Sequence, residues 1–440
     1  MLMKFALVAL VFCVGALSQR PSSAEFNLFC RILAEANNMM YGPEYVYDEN
    51  VDEEIIKEMT VLYNATTGSM KDFGNSLWGT KEFLKEHPPP TDPKNREEAH
   101  RQIGNLIDKG EKKIEENKKI ALEVNEKINE AKLSVAKGLY GEHVTVMPKD
   151  DKNLTEILNN TESTFVSSKS AAESCGHKEG KNKPAGKTLI NDLFCVCVGD
   201  ADDAQGPCHQ NIWSPKSWPG RGGCNGNDNC KWTQIKFGPD DSRNPPLIQS
   251  FNESFQKIER LCREEMMQGN VKPENMAGLL REYVGMIGMG DKKTKKEKKI
   301  FGHSERNKGG KGKNQVEKCT GEKGEWSSND PEKKNNNICV DYTNNKSEDG
   351  KTYNITWHTK FKNYTKIMQD AKQIEERILK NRAALLLLKS QAWVAYSREK
   401  DDETSNLDDM NVSNLFDGAR VPPSFPFPFL FPLLYLFMIS

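Results

Sequence analysis

Residues 96–137 read REEAHRQIGNLIDKGEKKIEENKKIALEVNEKINEAKLSVAK. Two series run through this stretch at seven-residue spacing. One is Ile107, Ile114, Ala121, Ile128 and Val135; the other is Ile103, Gly110, Asn117, Val124 and Ala131. A heptad sustained this long predicts coiled-coil packing of a single helix against partners. At about 1.5 Å per residue the helix is roughly 60 Å long. Gly110, Ala121 and Ala131 allow a partner to approach closely. Asn117 in the seam predicts a polar contact that fixes register at some cost in stability.

A helix of this kind must bury its stripe against partners from the rest of the chain. Helical spacing runs through 26–40, where Phe26, Phe29, Cys30 and Leu33 share a face, and through 51–63, with Ile55, Ile56, Met59 and Leu62. A helix over 154–173 is expected to fold back antiparallel on the long one. Helical patterning resumes over 247–267 and 274–289. A last heptad passes through Ile367, Ala371, Ile374, Ile378, Asn381, Leu385, Leu388, Ala392 and Ala395. This helix is expected either to support the membrane-proximal part or to pack back on the main bundle. The fold expected is mainly α: an elongated antiparallel coiled-coil bundle with a disulfide-stapled loop region and a small C-terminal membrane-proximal module.

Between these elements the composition shifts. Residues 175–246 are dense in Gly, Pro, Asn and Trp and cannot build long elements without staples. Residues 291–318 open with DKKTKKEKKIFGHSERNKGGKGK, a basic, nearly apolar-free run that reads as a flexible linker. Residues 19–290 are therefore expected to form a helical N-terminal domain, and 319–417 a C-terminal region.

The two ends specify a compartment. MLMKFALVALVFCVGALS, residues 1–18, has a basic residue, an apolar run and a small-x-small exit, the parts of a secretory signal peptide. Asp417-Gly418-Ala419, a short spacer and the apolar run from Phe425 have the order of a GPI-attachment signal. Asp417 is then the lipidated residue, and 418–440 are removed. The expected destination is the outer leaflet of the plasma membrane.

Cysteine usage agrees with that route. Ten remain once residues 1–18 are set aside: Cys30, Cys175, Cys195, Cys197, Cys208, Cys224, Cys230, Cys262, Cys319 and Cys339. An even number in an oxidising compartment reads as disulfides. Cys195 and Cys197 are expected to take two different partners, and Cys319 to pair with Cys339. Candidate N-glycosylation sites are Asn64, Asn153, Asn159, Asn252, Asn345, Asn354, Asn363 and Asn411.

The sequence carries no complete signature of chemical machinery. Basic and acidic residues number 62 and 63, so no global nucleic-acid signature is present. Gly186-Lys187-Thr188 resembles the end of a phosphate loop, but its required first glycine falls on Lys181, and no strand precedes it. Cys195, Cys197, Cys208, Cys224 and Cys230 lack zinc-site spacing; His177 and His209 near them read as solvent-facing. Asp200, Asp202 and Asp203 begin a calcium-loop pattern, but Gln205 and Asn211 stand where its Gly and Glu belong. No catalytic residue, metal site or cofactor is expected, and the chain does not read as an enzyme.

Signal peptide, long heptad helices, a cysteine cluster centred on TLINDLFCVCVGD (188–200) and a GPI signal together resemble the variant surface glycoproteins of African trypanosomes. With only Cys319 and Cys339 late in the chain, the likeness leans to the congolense-type members with a type-B-like N-terminal domain. The resemblance implies a homodimer standing on the membrane in a dense protective coat, presented to host antibodies and serving immune evasion by antigenic variation. It implies that the loops around Cys195–Trp232 carry exposed epitopes. The rival from another class is a GPI-anchored receptor for a host macromolecule on the same scaffold, similar to the transferrin-receptor-like relatives.

Overall fold

A computed structural model describes residues 20–68, 83–149, 151–177, 184–200, 206–213, 218, 233–235, 248, 250–268, 275–290, 299–305, 316, 318–321, 337–347, 350 and 352–398. The chain is mainly helical. Its elements include α1 (Ser23–Met40), α2 (Glu49–Ala65), α3 (Pro93–Tyr140), α4 (Asp151–Asn159), α5 (Thr161–Thr164), α6 (Ala171–Ser174), α7 (Leu189–Cys197), α8 (Phe251–Gln268), α9 (Met276–Met286) and α10 (Thr356–Ser397). Two antiparallel ribbons pair β1 (Ile212–Trp213) with β2 (Gln234–Ile235) and β3 (Ile300–Phe301) with β4 (Val340–Asp341).

The heptad stretch is one helix of 48 residues, about 72 Å at the standard rise. It starts where the sequence supplies a cap: Asp92 Oδ1 accepts from the amides of Lys94 at 2.8 Å and Asn95 at 3.1 Å, and Pro93 occupies the first turn. Every seam position is buried except the half-buried Ile107. The last heptad forms α10, with Ala371, Ile378, Leu385 and Ala392 buried at seven-residue spacing.

The described residues divide into two compact units, one drawn from 1–45 and 123–373 and one from 46–122 and 374–440. In the second unit, α2 and the parts of α3 and α10 that fall in it share one core. Ile55, Ile56, Met59 and Leu62 pack with Ala99, Ile103, Ile114, Leu385, Ala392 and Tyr396. A Cβ on Gly110 would run into Ile56 Cδ1 and come within 3.3 Å of Leu385 Cδ2, so three helices converge on that missing side chain. Gly110 lies by Leu385 and Asn117 by Asn381; as α3 advances α10 recedes, and the two run antiparallel.

The first unit is built around α1, which packs on α7, α8 and α9. Its core gathers Leu28, Phe29 and Ile32 of α1, Leu189, Leu193 and Phe194 of α7, Phe255 and Ile258 of α8, Tyr283 of α9, and Phe301, Val340, Tyr342 and Trp357. Phe29 meets the edges of Tyr283 and Phe301, with ring centroids 5.8 and 5.6 Å apart. Cys30–Cys262 ties α1 to α8.

Three expectations change. The helix expected over 154–173 is broken into α4, α5 and α6. Its Asn and Ser side chains prefer to cap: Asn160 Oδ1 accepts from Ser163 N at 3.1 Å, and Ser170 Oγ from Glu173 N at 3.2 Å. In the second unit the antiparallel partner of the long helix is α10, which settles the place of the last heptad there. The boundaries expected at 290 and 319 are not where the chain divides: Cys319, Cys339, Val340 and Tyr342 are buried in the same core as Phe29 and Leu193. Residues 1–18, the linker residues 291–298 and 306–315, Cys224, Cys230, Asn411, Asp417 and 418–440 lie outside the described residues.

Candidate functional site

GKTLINDLFCVCVGD, 186–200, gathers a buried polar network in the first unit, and its helical residues face inward. Its nine helical residues, Leu189–Cys197, are all buried. Thr188 is the N-cap: its Oγ1 accepts from Asn191 N at 3.0 Å and donates to Thr164 O at 2.8 Å. Gly199, at φ +65, closes the other end, donating to Phe194 O at 2.8 Å in a left-handed cap that favours glycine.

Cys195 and Cys197 lie two residues apart on a helix, roughly 200° around its axis, and so project to opposite sides. Cys195 bonds to Cys175 and Cys197 to Cys208. Cys319 bonds to Cys339. Among the described residues no group of three His, Cys, Asp or Glu side chains is arranged to hold a metal.

Asp192 is the centre of this stretch. Its Oδ2 accepts from Tyr342 OH at 2.5 Å and Trp357 Nε1 at 2.7 Å; its Oδ1 accepts from Asn191 Nδ2 at 3.0 Å and Gly186 N at 3.1 Å. All four donors are neutral. Tyr283 OH stands 2.6 Å from Tyr342 OH; since Tyr342 gives its hydrogen to Asp192, Tyr283 is the donor there. Burial pushes the Asp192 carboxyl up to about 6, and the donors from Tyr342, Trp357, Asn191 and Gly186 pull against it. Burial raises both tyrosines as well, with the Asp192 charge adding to it. Asn191 accepts from Val166 N and donates to Ser174 O, both at 3.0 Å. Five separated pieces of chain are thus tied to two adjacent side chains.

This geometry closes the phosphate-loop reading. The Gly186 amide, which such a loop would turn toward an anion, already points at a carboxylate. Lys187 Nζ donates to Glu162 O and Phe165 O, each at 2.8 Å, capping carbonyls beside α5. His209 sits 2.9 Å from Glu265 Oε1. The Asp200 amide donates to Gly321 O at 2.5 Å, while Asp202 and Asp203 lie outside the described residues. Cys195–Asp200, expected among exposed loops, is core; of the described residues that follow, Gln210 and Trp213 reach the surface.

A second buried carboxylate organises the other unit. Asp52 of α2 has a fully buried side chain. Its Oδ1 accepts from Arg382 Nε at 2.5 Å, and its Oδ2 from Asn117 Nδ2 at 3.0 Å and Tyr47 OH at 2.6 Å. Asn381 Nδ2 donates to Asn117 Oδ1 at 2.9 Å, and Lys113 Nζ to Asn381 Oδ1 at 3.1 Å. Desolvation raises the Tyr47 hydroxyl, with its hydrogen bond to Asp52 next. Sequence reasoning found Asn117 and Asn381 in their seams but missed Asp52 and Arg382. The available signal was Asp52 in phase with Ile55, Ile56 and Met59.

The sequons fall in different places. Asn159, Asn354 and Asn363 are exposed; Asn64, Asn153 and Asn252 are half-buried; Asn345 is buried. An open groove of about 500 Å³ lies between α9 and α10, lined by Met276, Leu280, Val284, His358, Phe361 and Lys362. Burial lowers His358 to about 4. Neither buried carboxylate lines it. Among the described residues no helix is long and apolar enough to cross a membrane.

A family model described as a trypanosomal VSG domain matches residues 57–385, well over half of the chain. No curated protein matches the sequence.

Proposed function

Because the chain belongs to the trypanosomal variant surface glycoprotein family, a family of surface-coat proteins rather than enzymes, we propose that it is a GPI-anchored coat glycoprotein. In this reading it is secreted through its N-terminal leader and lipidated at Asp417. It stands as a homodimer on the outer leaflet, in a dense layer that meets host antibodies and evades them by antigenic variation. The family match over 57–385 carries the reading. The two polar centres support it: Asp192 and Asp52 are enclosed by donors from their own unit and are spent on holding it together.

The test is phospholipase release from intact cells, with mass spectrometry of the C-terminal peptide and a count of surface copies. Release, a peptide ending at Asp417 and dominance of the surface proteome are expected. A peptide running on past Ala419 would overturn the anchor. Light scattering on the released protein reads the dimer directly, and a monomeric mass removes that part.

A further inference from the structure

The sequons differ in what the fold does with their side-chain amides. Asn345 is 3% exposed. Its Nδ2 donates to Ala185 O at 2.8 Å and to Asn354 O at 2.9 Å. Both partners are backbone carbonyls, which only accept, so the nitrogen faces them and both of its hydrogens are in use. These bonds hold the turn carrying the Lys346–Tyr353 bridge against Ala185, next to the Gly186 amide that binds Asp192.

N-glycosylation forms a bond from that nitrogen to C1 of a sugar. It breaks the C1–O bond to a lipid-pyrophosphate donor and releases one amide proton. A modified asparagine keeps a single N–H. At Asn345 one of the two bonds would be lost, and a bulky polar sugar would have to occupy a buried site. Asn354, nine residues on, is joined to Asn345 through its backbone, its amide donating to Asn345 O at 2.7 Å, and its residue surface is exposed. Asn363 is exposed on α10, and Asn159 at the end of α4. Each is followed at the second position by threonine: Thr161, Thr356 and Thr365.

We propose that N-glycans are carried at Asn159, Asn354 and Asn363, and that Asn345 stays bare in the folded protein because its amide is a structural strut. The assignment rests on the secretory reading above. The test is the full chain expressed in a eukaryotic secretory host, deglycosylated enzymatically in heavy-oxygen water and mapped by mass spectrometry, with the N-terminal peptide read in the same run. Heavy aspartate is expected at 159, 354 and 363, and unchanged asparagine at 345. Heavy aspartate at 345 in the folded, exported fraction overturns the strut. Bare Asn159, Asn354 and Asn363 in a chain whose leader has been removed overturn the assignment alone. A retained leader with every sequon bare overturns the secretory reading and the assignment with it. Ser347→Ala destroys the 345 sequon while keeping the amide, so the exported chain should carry the same number of glycans; loss of one glycan overturns the proposal.

Discussion

Asp52 and Arg382, 330 residues apart in sequence, form the charge pair at the polar centre of the second unit. The carboxylate is fully buried, while the Arg382 side chain is 24% exposed. The two sides therefore differ in what their loss leaves behind. Arg382→Ala leaves a buried carboxylate with only Tyr47 and Asn117 as donors, and should destabilise by about 3 kcal/mol. Asp52→Ala leaves an arginine that can reach water, but it strips the buried Asn117 amide and the Tyr47 hydroxyl of their acceptor and should cost about 2–4 kcal/mol, through orphaned donors instead of an orphaned charge. Chemical denaturation of both single variants and the double variant checks this; additive losses would show that the pair is not coupled.

The Asn117–Asn381 contact predicts a separate behaviour. Asn381→Leu removes the donor to Asn117 and leaves its oxygen unpaired in a buried seam, a loss of about 1–3 kcal/mol. Replacing both asparagines with leucine removes that orphan and adds apolar burial, although Asp52 loses one donor. The double variant should recover much of the single loss and yet hold its register less strictly. Amide hydrogen exchange along 110–124 is the measurement. Protection equal to wild type in the double variant would mean that the asparagines do not set register.

Asp192 predicts a pH dependence whose sign can be worked out. Its folded value of about 6 lies above the ordinary aspartate range, as do Glu25 at about 7 and Glu259 at about 7, all raised chiefly by burial. The folded chain binds these protons more tightly than the unfolded chain. Their stabilisation is full below about pH 4 and is lost as pH rises through 6 to 7. His358, lowered to about 4, acts oppositely: its contribution is lost as pH falls from about 6.5 toward 4. Three carboxyls against one imidazole predict lower stability of the first unit at pH 7.5 than at pH 5.5. Asp192→Asn should flatten that slope. It should also destabilise at every pH by about 1–3 kcal/mol, because in either orientation the new amide nitrogen faces at least one N–H, that of Trp357 or those of Gly186 and Asn191, which can only donate. Urea midpoints at the two pH values decide it; an unchanged slope would assign the dependence elsewhere.

The disulfides predict an order. In the chain-entropy account, Cys30–Cys262, closing 232 residues, contributes about 5 kcal/mol, and Cys175–Cys195, closing 20, about 3 kcal/mol. Paired alanine replacements should therefore lower the unfolding midpoint more for the first bond than for the second. The reverse order would point to native packing around α7 as the larger effect.

What could be read in advance was periodic. The seams of α3 and α10 state their spacing over many turns, so helix, buried face and the odd Asn117 were all visible. Asp192 was not, because one acidic residue in a nine-residue apolar helix has the same local signature as a solvent-facing one. Its partners Tyr342 and Trp357 come from 150 and 165 residues away. The helix expected over 154–173 failed for a local reason legible in the sequence: Asn160 and Ser170 offer caps in competition with helix continuation.

Gly186 is where the likeness to a phosphate loop meets the fold. It sits at φ +77, and a Cβ there would approach Ile355 Cγ2 to 2.7 Å. Alanine at this position pays for the left-handed backbone and displaces Ile355, and it draws the amide off Asp192. The expected loss is about 2–4 kcal/mol, with proteolytic opening of the 186–200 segment. Lys187→Met provides the contrast, since it removes only two capping bonds to partly exposed carbonyls and should cost about 1 kcal/mol. A phosphate loop would show the opposite pattern, with Lys187 decisive for nucleotide binding. Limited proteolysis of both variants, with and without nucleotide, separates the two. Protection by nucleotide in the wild type, lost in Lys187→Met, would restore the reading that the Gly186–Asp192 bond excludes.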